Sequence, residues 1–555
     1  MRVEVGTPGI PASYSRPTAV SAVPRRRFDR FELGVLIAFA AVSLWVLGLD
    51  LWQVVAHGRV WTGTDGVYIV DQMQYLAWIR SASHHLLASN MFVLRSTPSD
   101  YFQPAVVISG GLSALGIAPW ITLLLWKPVA VFALFFAVRE YAYRSVSGLW
   151  ARRLVLLLSL FFGCFTIVYG SFGVLGDLFP GFLSWGYTFG LLALALMVAG
   201  LLAYDRARRQ RRISWTPGLL GAVASLLHPW HGELMIAVAL GAEAMLWWGR
   251  RPTRRDLALP AVTAVLAGLP LLYYIALGKL DLSWRLAREA SKHAFSFWTI
   301  VLAILPLLLP ALLAYRGRSK DFIQASARFW PIASFGVFIV SASGVSATPL
   351  HAFQGITIPL SVLAVQGVQR VGWRHLPYLR WVTAAVVVLF TVPTTYYELD
   401  NARKLAAPTV GNANFIKRDE LGALDYLADS RTPGGVLTAG YLGSTVPERT
   451  GRQTLLGDCL WSEPHCSGRA AAAAALFHGS LSPSQAQRFV RRSGARFVLA
   501  DCTSTANLGG LLRPLIVSAH RFGCARVFEL AAPRAPQGPL AQSRRHASVR
   551  ATGRK

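Results

Sequence analysis

Residues 64–92 read TDGVYIVDQMQYLAWIRSASHHLLASNMF, and they lie between an apolar run at 33–51 and another at 104–118. The stretch brings together Asp65, Asp71, Gln72, Gln74, Tyr75, Trp78, Arg80, His84, His85 and Asn90, with Asp100, Tyr101, Gln103 and Pro104 close behind. A loop that only joins two membrane spans has no use for so many acids, amides and rings. A site that handles a polar substrate at the edge of a bilayer does.

The rest of the chain supports that setting. Of its 555 residues, 54% are hydrophobic and 15% charged, and the mean hydropathy of +0.42 belongs to a polytopic membrane protein. A net charge of +28 would suggest nucleic acid in a soluble protein. Here the arginines gather between apolar runs, at 139–153, 206–212, 250–255, 316–320 and 370–380, which is the pattern of cytoplasmic anchors. No nucleic-acid partner is expected, and membrane lipids are.

Residues 1–30 read as a disordered basic cytoplasmic amino terminus. Arg25, Arg26, Arg27 and Arg30 precede a full apolar run with no small-residue cleavage site after it, so the first span stays as a signal anchor. A transmembrane domain then covers 31–396, with about 11–13 membrane helices and a large first outer loop at 52–103. Residues 104–118 are too few for the roughly 20 that a spanning helix needs and are expected not to cross fully. The turns at 173–181, 228–233, 278–296 and 346–354 then face outward with that loop.

Residues 397–530 read as a small extracytoplasmic α/β domain, with helices at 417–430 and 482–493 and strands at 435–439, 496–500 and 526–530. Gly440 to Gly443 lacks the lysine of a phosphate loop and the spacing of a dinucleotide fingerprint. A disordered basic tail at 531–555 completes the chain. Cys164 lies in an apolar run as a small hydrophobe. Three pairings of the other four cysteines exist; proximity, and strand adjacency near the second pair, favour Cys459 with Cys466 and Cys502 with Cys524 in an oxidising compartment. The rival is a zinc site at Cys459, His465 and Cys466, which lacks the usual paired-cysteine spacing.

Asp71 opens a run in which Tyr75, Trp78 and Ala82 recur at helical spacing. This predicts an amphipathic helix along the membrane surface, its rings turned to lipid or protein. Asp71 is then either a reactive carboxylate or the cap of that helix, with equal weight.

DQMQYLAWIR (71–80), SNMF (89–92), YFQP (101–104) and TVPERTGRQTLLGD (445–458), set in many spans with an outward soluble domain, resemble the GT-C-type membrane glycosyltransferases. These include the protein mannosyltransferases, arabinosyltransferases and aminoarabinose transferases. The resemblance implies a mostly α polytopic fold in a bacterial plasma membrane. It also implies transfer of a sugar, such as mannose or arabinose, from a polyprenyl-phosphate-linked donor to an extracytoplasmic glycan, lipid or protein acceptor. Phosphate is a good leaving group, so one carboxylate suffices to deprotonate the acceptor. By resemblance Asp71 is that base and Asp65 the second choice. The loop has no adjacent acid pair of the kind found in relatives.

Candidate contacts to donor and acceptor are Gln72, Tyr75, Arg80, Gln103, Asp177, His228, His231, Arg288, Lys292, His351 and Gln354. Oligosaccharyl transferases use acids from two outer loops around a divalent ion. Here the later loop offers Asp177 alone, so a metal-independent enzyme without cofactor is expected. The other classes that fit are a noncatalytic envelope scaffold and a lipid or glycan transporter. Against the transporter stands the lack of an inverted repeat of broken spans.

Overall fold

A computed structural model describes residues 28–532 apart from 66, 164–175, 250, 293–295, 344–347, 372–377 and 410–411. The readings made for Cys164, for both chain ends and for parts of the 173–181, 278–296 and 346–354 turns fall outside the described residues.

The architecture is mostly helical. Long runs of Leu, Val, Ala and Phe close every backbone hydrogen bond within one helix, as an apolar solvent demands. Among the described residues, six helices are long and apolar enough to cross a membrane, at Pro119–Ser145, Thr188–Arg209, Arg254–Leu280, Phe297–Tyr315, Phe322–Ala342 and Trp381–Lys404. Helices α1 (Arg30–Ser43) and α2 (Trp45–His57) make a seventh if the pair, bent by 50°, counts as one span. Other expected crossings are shorter helices, including Thr216–Leu227. Segment α3 (Ile69–His85) forms the outer-loop helix, and α4 (Pro104–Ala114) follows it. At 1.5 Å per residue α4 extends roughly half the ~30 Å of a hydrocarbon core.

The amino-terminal end of α1 is pinned by a capping box, in which the Glu32 N–H donates to Asp29 Oδ1 at 2.7 Å and the Asp29 N–H to Glu32 Oε2 at 3.1 Å. Glu32 also takes Arg139 at 3.0 Å, tying α1 to the helix beginning at Trp126.

Helix α3 does not lie on a lipid surface. Gln72, Met73, Gln74, Leu76, Ala77, Trp78, Ile79 and Ala82 are all buried within the protein, between α4 and a helix at Gly440–Thr450. Gly110 makes the close approach of α4 possible, since a Cβ there would come 2.7 Å from Ala82 Cβ. The predicted ring face thus meets protein.

Beyond residue 396, a four-stranded sheet runs in the order β3 (Val436–Thr438), β4 (Phe497–Ala500), β6 (Ala525–Leu530), β5 (Ile516–Phe522). Strands β3 and β4 are parallel and the other pairs antiparallel. Helix Arg418–Asp429 packs beside it. A separate pair, β1 (Val60–Trp61) with β2 (Phe415–Ile416), joins the first outer loop to this region. The Arg452 guanidinium binds the carbonyls of Leu427, Ser430, Thr432 and Gly434, which closes the turn before β3. Cys459–Cys466 and Cys502–Cys524 are both disulfides, with Cα atoms 5.3 and 4.9 Å apart, so the zinc reading falls.

Candidate active site

Asp71 stands at the third position of α3. The helix starts after Tyr68, which makes no side-chain cap, and Asp71 falls in its first turn. Its half-exposed carboxylate accepts a hydrogen bond from the Tyr187 hydroxyl, 3.0 Å from Oδ2. Tyr187 immediately precedes the long helix Thr188–Arg209, and Gly186 lets Tyr68 pack against the chain there, because a Cβ would come 2.4 Å from its ring.

Rings continue inward from Tyr187. His351, in the 3-10 turn Pro349–Phe353, has its centroid 5.7 Å from Tyr187, 4.9 Å from His228 and 4.7 Å from Trp230. His228 precedes the helix Pro229–Trp247, and its Nδ1 lies 2.9 Å from Nδ1 of His231. One of those nitrogens carries the proton and the other accepts it. Burial, and then the neighbouring histidines, hold His228 well below the usual imidazole range, so it is neutral. The Nε2 atoms of His228 and His231 are buried with no hydrogen-bond partner among the described residues. Gln354 completes the group, with Oε1 at 3.5 Å from where a Cβ on Gly190 would be. The turns at 228–233 and 346–354 thus meet beside Tyr187, the partner of Asp71.

A second carboxylate arrives from the α/β region. Asp458 is buried, with Oδ1 accepting the Leu460 N–H at 2.8 Å and Oδ2 without a hydrogen-bond partner among the described residues. Its pKa is pushed up to about 7, first by burial and then by the charge of Asp71. Sequence reading passed over it, because Asp458 stands at the end of a quoted motif with nothing nearby in the chain to pair with it. Aromatic rings hold its loop in place: Trp461 lies 5.2 Å from Trp78 and 4.7 Å from Trp284, and Tyr101 lies 4.4 Å from Trp78. Asn90 Nδ2 donates to the Trp461 carbonyl at 2.9 Å.

The other candidates are placed as follows. Tyr75, one turn after Asp71, packs edge-on against Phe189 at 4.9 Å, and its hydroxyl is held above its ordinary pKa by burial and then by Asp71. Asp65 is fully enclosed and ion-paired with buried Lys127, which also donates to the Ser43 carbonyl at 2.8 Å. Gln72 clips the loop, accepting the Asp65 N–H at 2.7 Å and donating to the Trp185 carbonyl at 3.2 Å. Gln103 caps α4 by accepting the Val106 N–H at 2.8 Å. Arg80 points toward the Gly440–Thr450 helix, with Nε at 3.7 Å from a Cβ position on Gly451, where its charge bears on Glu448. Asp177 falls in the 3-10 turn Gly176–Leu178, and its side chain is outside the described residues. Arg288, in the helix Leu282–Ala290, lies beside Gly278, and Lys292 is exposed. No described contact joins Asp65, Arg80, Gln103, Arg288 or Lys292 to Asp71.

No protein-family model matches the chain, and no curated protein does. Solved structures do resemble it. The oligosaccharyltransferase of Archaeoglobus fulgidus, tethered with an acceptor peptide, superposes with a TM-score of 0.51 at 12% identity, over 92% of this chain and 75% of that one; its apo form gives 0.50 at 13%, over 86% and 70%. The arabinofuranosyltransferase AftD from Mycobacteria gives 0.52 at 15%, over 91% of this chain and 40% of that one. At such identities the likeness is one of fold. Joined to the apolar helices and the α/β region, it identifies the chain as a multi-pass membrane protein with the GT-C fold.

Proposed function

We propose that the chain is a membrane glycosyltransferase that moves a sugar from a polyprenyl-phosphate donor to a hydroxyl of an extracytoplasmic acceptor, with Asp71 as general base. The observation that carries this reading is a half-exposed carboxylate, held by the Tyr187 hydroxyl and approached by Asp458, at the mouth of a buried histidine group. The fold adds support, since the neighbours that share it are an oligosaccharyltransferase and an arabinofuranosyltransferase.

Asp71 takes the acceptor proton as the acceptor oxygen bonds to the anomeric carbon. The bond from that carbon to the phosphate oxygen breaks, and its electron pair leaves with the phosphate. Tyr187 holds the carboxylate through Oδ2 and so aims the base at the acceptor. Neutral His228 and His231 present buried Nε2 atoms, of which any N–H form donates to the departing phosphate without a fixed counter-charge. In this reading the amino terminus is cytoplasmic, the Asp71 loop and residues 397–530 face out of a bacterial plasma membrane, and no metal takes part.

The test is transfer from radiolabelled polyprenyl-phosphate sugars by the Asp71→Asn protein in proteoliposomes. A base of this kind contributes ~10²–10⁴-fold, so turnover falls by at least about a hundredfold. Undiminished turnover in a correctly inserted protein removes Asp71 from the mechanism.

A further inference from the structure

A cavity of about 320 Å³ opens on the outward region, away from the histidine group. Its size is at the lower end of small-molecule sites, which run from roughly 300 to 1,000 Å³. Arg95, from the first outer loop, and Arg469 and Arg492, from the soluble region, line it together with Glu463, Pro464 and Phe489. Among the described residues none of the three arginines has a carboxylate within ion-pair distance, in a protein where eight other arginines do.

The guanidiniums are only lightly engaged. Arg95 Nη2 donates to Ser283 Oγ and Arg469 Nη1 to the Ser462 carbonyl, both at the long distance of 3.3 Å, and Arg492 is exposed. Glu463 spends one oxygen on the Cys466 N–H at 3.4 Å. Three positive forks therefore converge on one space with a single negative group to offset them. An oxyanion relieves that repulsion and matches the planar geometry of the forks. The half-buried Phe489 and Pro464 add flat apolar walls, which suit the C–H face of a sugar ring, and Glu463 can accept from its hydroxyls.

We propose that this cavity binds an acidic saccharide, a sugar bearing a carboxylate or phosphate, as a second site separate from the Asp71 centre. Its position gives it a use. Glu463 lies in the short loop closed by Cys459–Cys466 and Asp458 immediately precedes that loop, so a saccharide chain held at the arginines is fixed relative to Asp71. Binding stands on the cavity alone, and only the naming of its ligand as the acceptor rests on the transferase reading.

Calorimetry on the full chain in nanodiscs tests this, with digalacturonate, a phosphorylated disaccharide and a neutral disaccharide as probes. At least one acidic probe binds about tenfold or more tighter than the neutral one, and Arg492→Glu and Arg469→Ala each weaken it by about tenfold or more, as loss of a charge-assisted contact requires. The rank of the two acidic probes tells carboxylate from phosphate. Equal binding of acidic and neutral probes, no binding at all, or affinity unmoved by both substitutions overturns the site. Asp71→Asn leaves this binding intact, so unimpaired transfer by that variant would remove the proposed reaction and not the site.

Discussion

The Tyr187 hydroxyl donates to Asp71 Oδ2 at 3.0 Å, which couples the outer-loop helix to the start of a membrane-spanning helix. In the proposed reaction this bond aims the carboxylate at the acceptor. A hydrogen bond to a charged group contributes about 1.5–3 kcal/mol. If it aims the base, Tyr187→Phe lowers kcat by about ten- to a hundredfold with little change in KM for the donor. Steady-state kinetics in proteoliposomes provide the check, and a KM effect with kcat preserved would assign Tyr187 to binding instead.

Asp65 and Lys127 form a buried ion pair, and removing one partner of such a pair costs about 3–5 kcal/mol. Asp65→Asn is therefore expected to lower the yield of folded protein, with Asp65→Asn/Lys127→Met recovering both folding and transfer. Size-exclusion profiles and activity of the two variants decide this. A well-folded, inactive double variant would return Asp65 to the chemistry.

Burial pushes Asp458 up to about 7. Unfolded, it titrates near 3.8, so between those values the folded state binds more protons than the unfolded one. Stability contributed by the protonated form is present below about pH 4 and is lost as pH rises toward 7. Glu448, also pushed up to about 7 by burial, acts with the same sign. Asp458→Asn should flatten the fall in Tm between pH 4 and 7 and raise Tm at pH 8. Thermal unfolding of wild type and variant across that range tests it, and parallel pH profiles would argue against the shift.

The proposed chemistry needs no metal, because phosphate leaves readily and Asp71 alone takes the proton. Transfer is expected to continue undiminished in excess chelator. Strict dependence on added magnesium or manganese would show that carboxylates such as Asp71 and Asp458 act as ligands.

Much of the architecture was legible along the chain. Apolar runs mark helices because backbone groups in lipid must pair within the segment, and Pro104–Ala114 was readable as too short because helix rise is constant. Both disulfides followed from four cysteines in one polar region. Strand β5 went unread, since its sequence IVSAHRF is largely exposed and carries His520 and Arg521. Gln103 looked like a ligand and is a helix cap, since an amide serves either purpose and only the neighbouring N–H decides.

The sequence by itself determined the membrane class and marked out the polar loop that carries Asp71, both of which depend on the order and spacing of residues within a short window. Tertiary structure alone decided which distant groups share that carboxylate's surroundings. Pairing of β1 with β2 and burial of α3 under the Gly440–Thr450 helix bring Asp458 to Asp71, while packing of two turns brings together His228, His231 and His351. Such meetings arise from the closure of long loops around a common core, and local periodicity has no means of recording them.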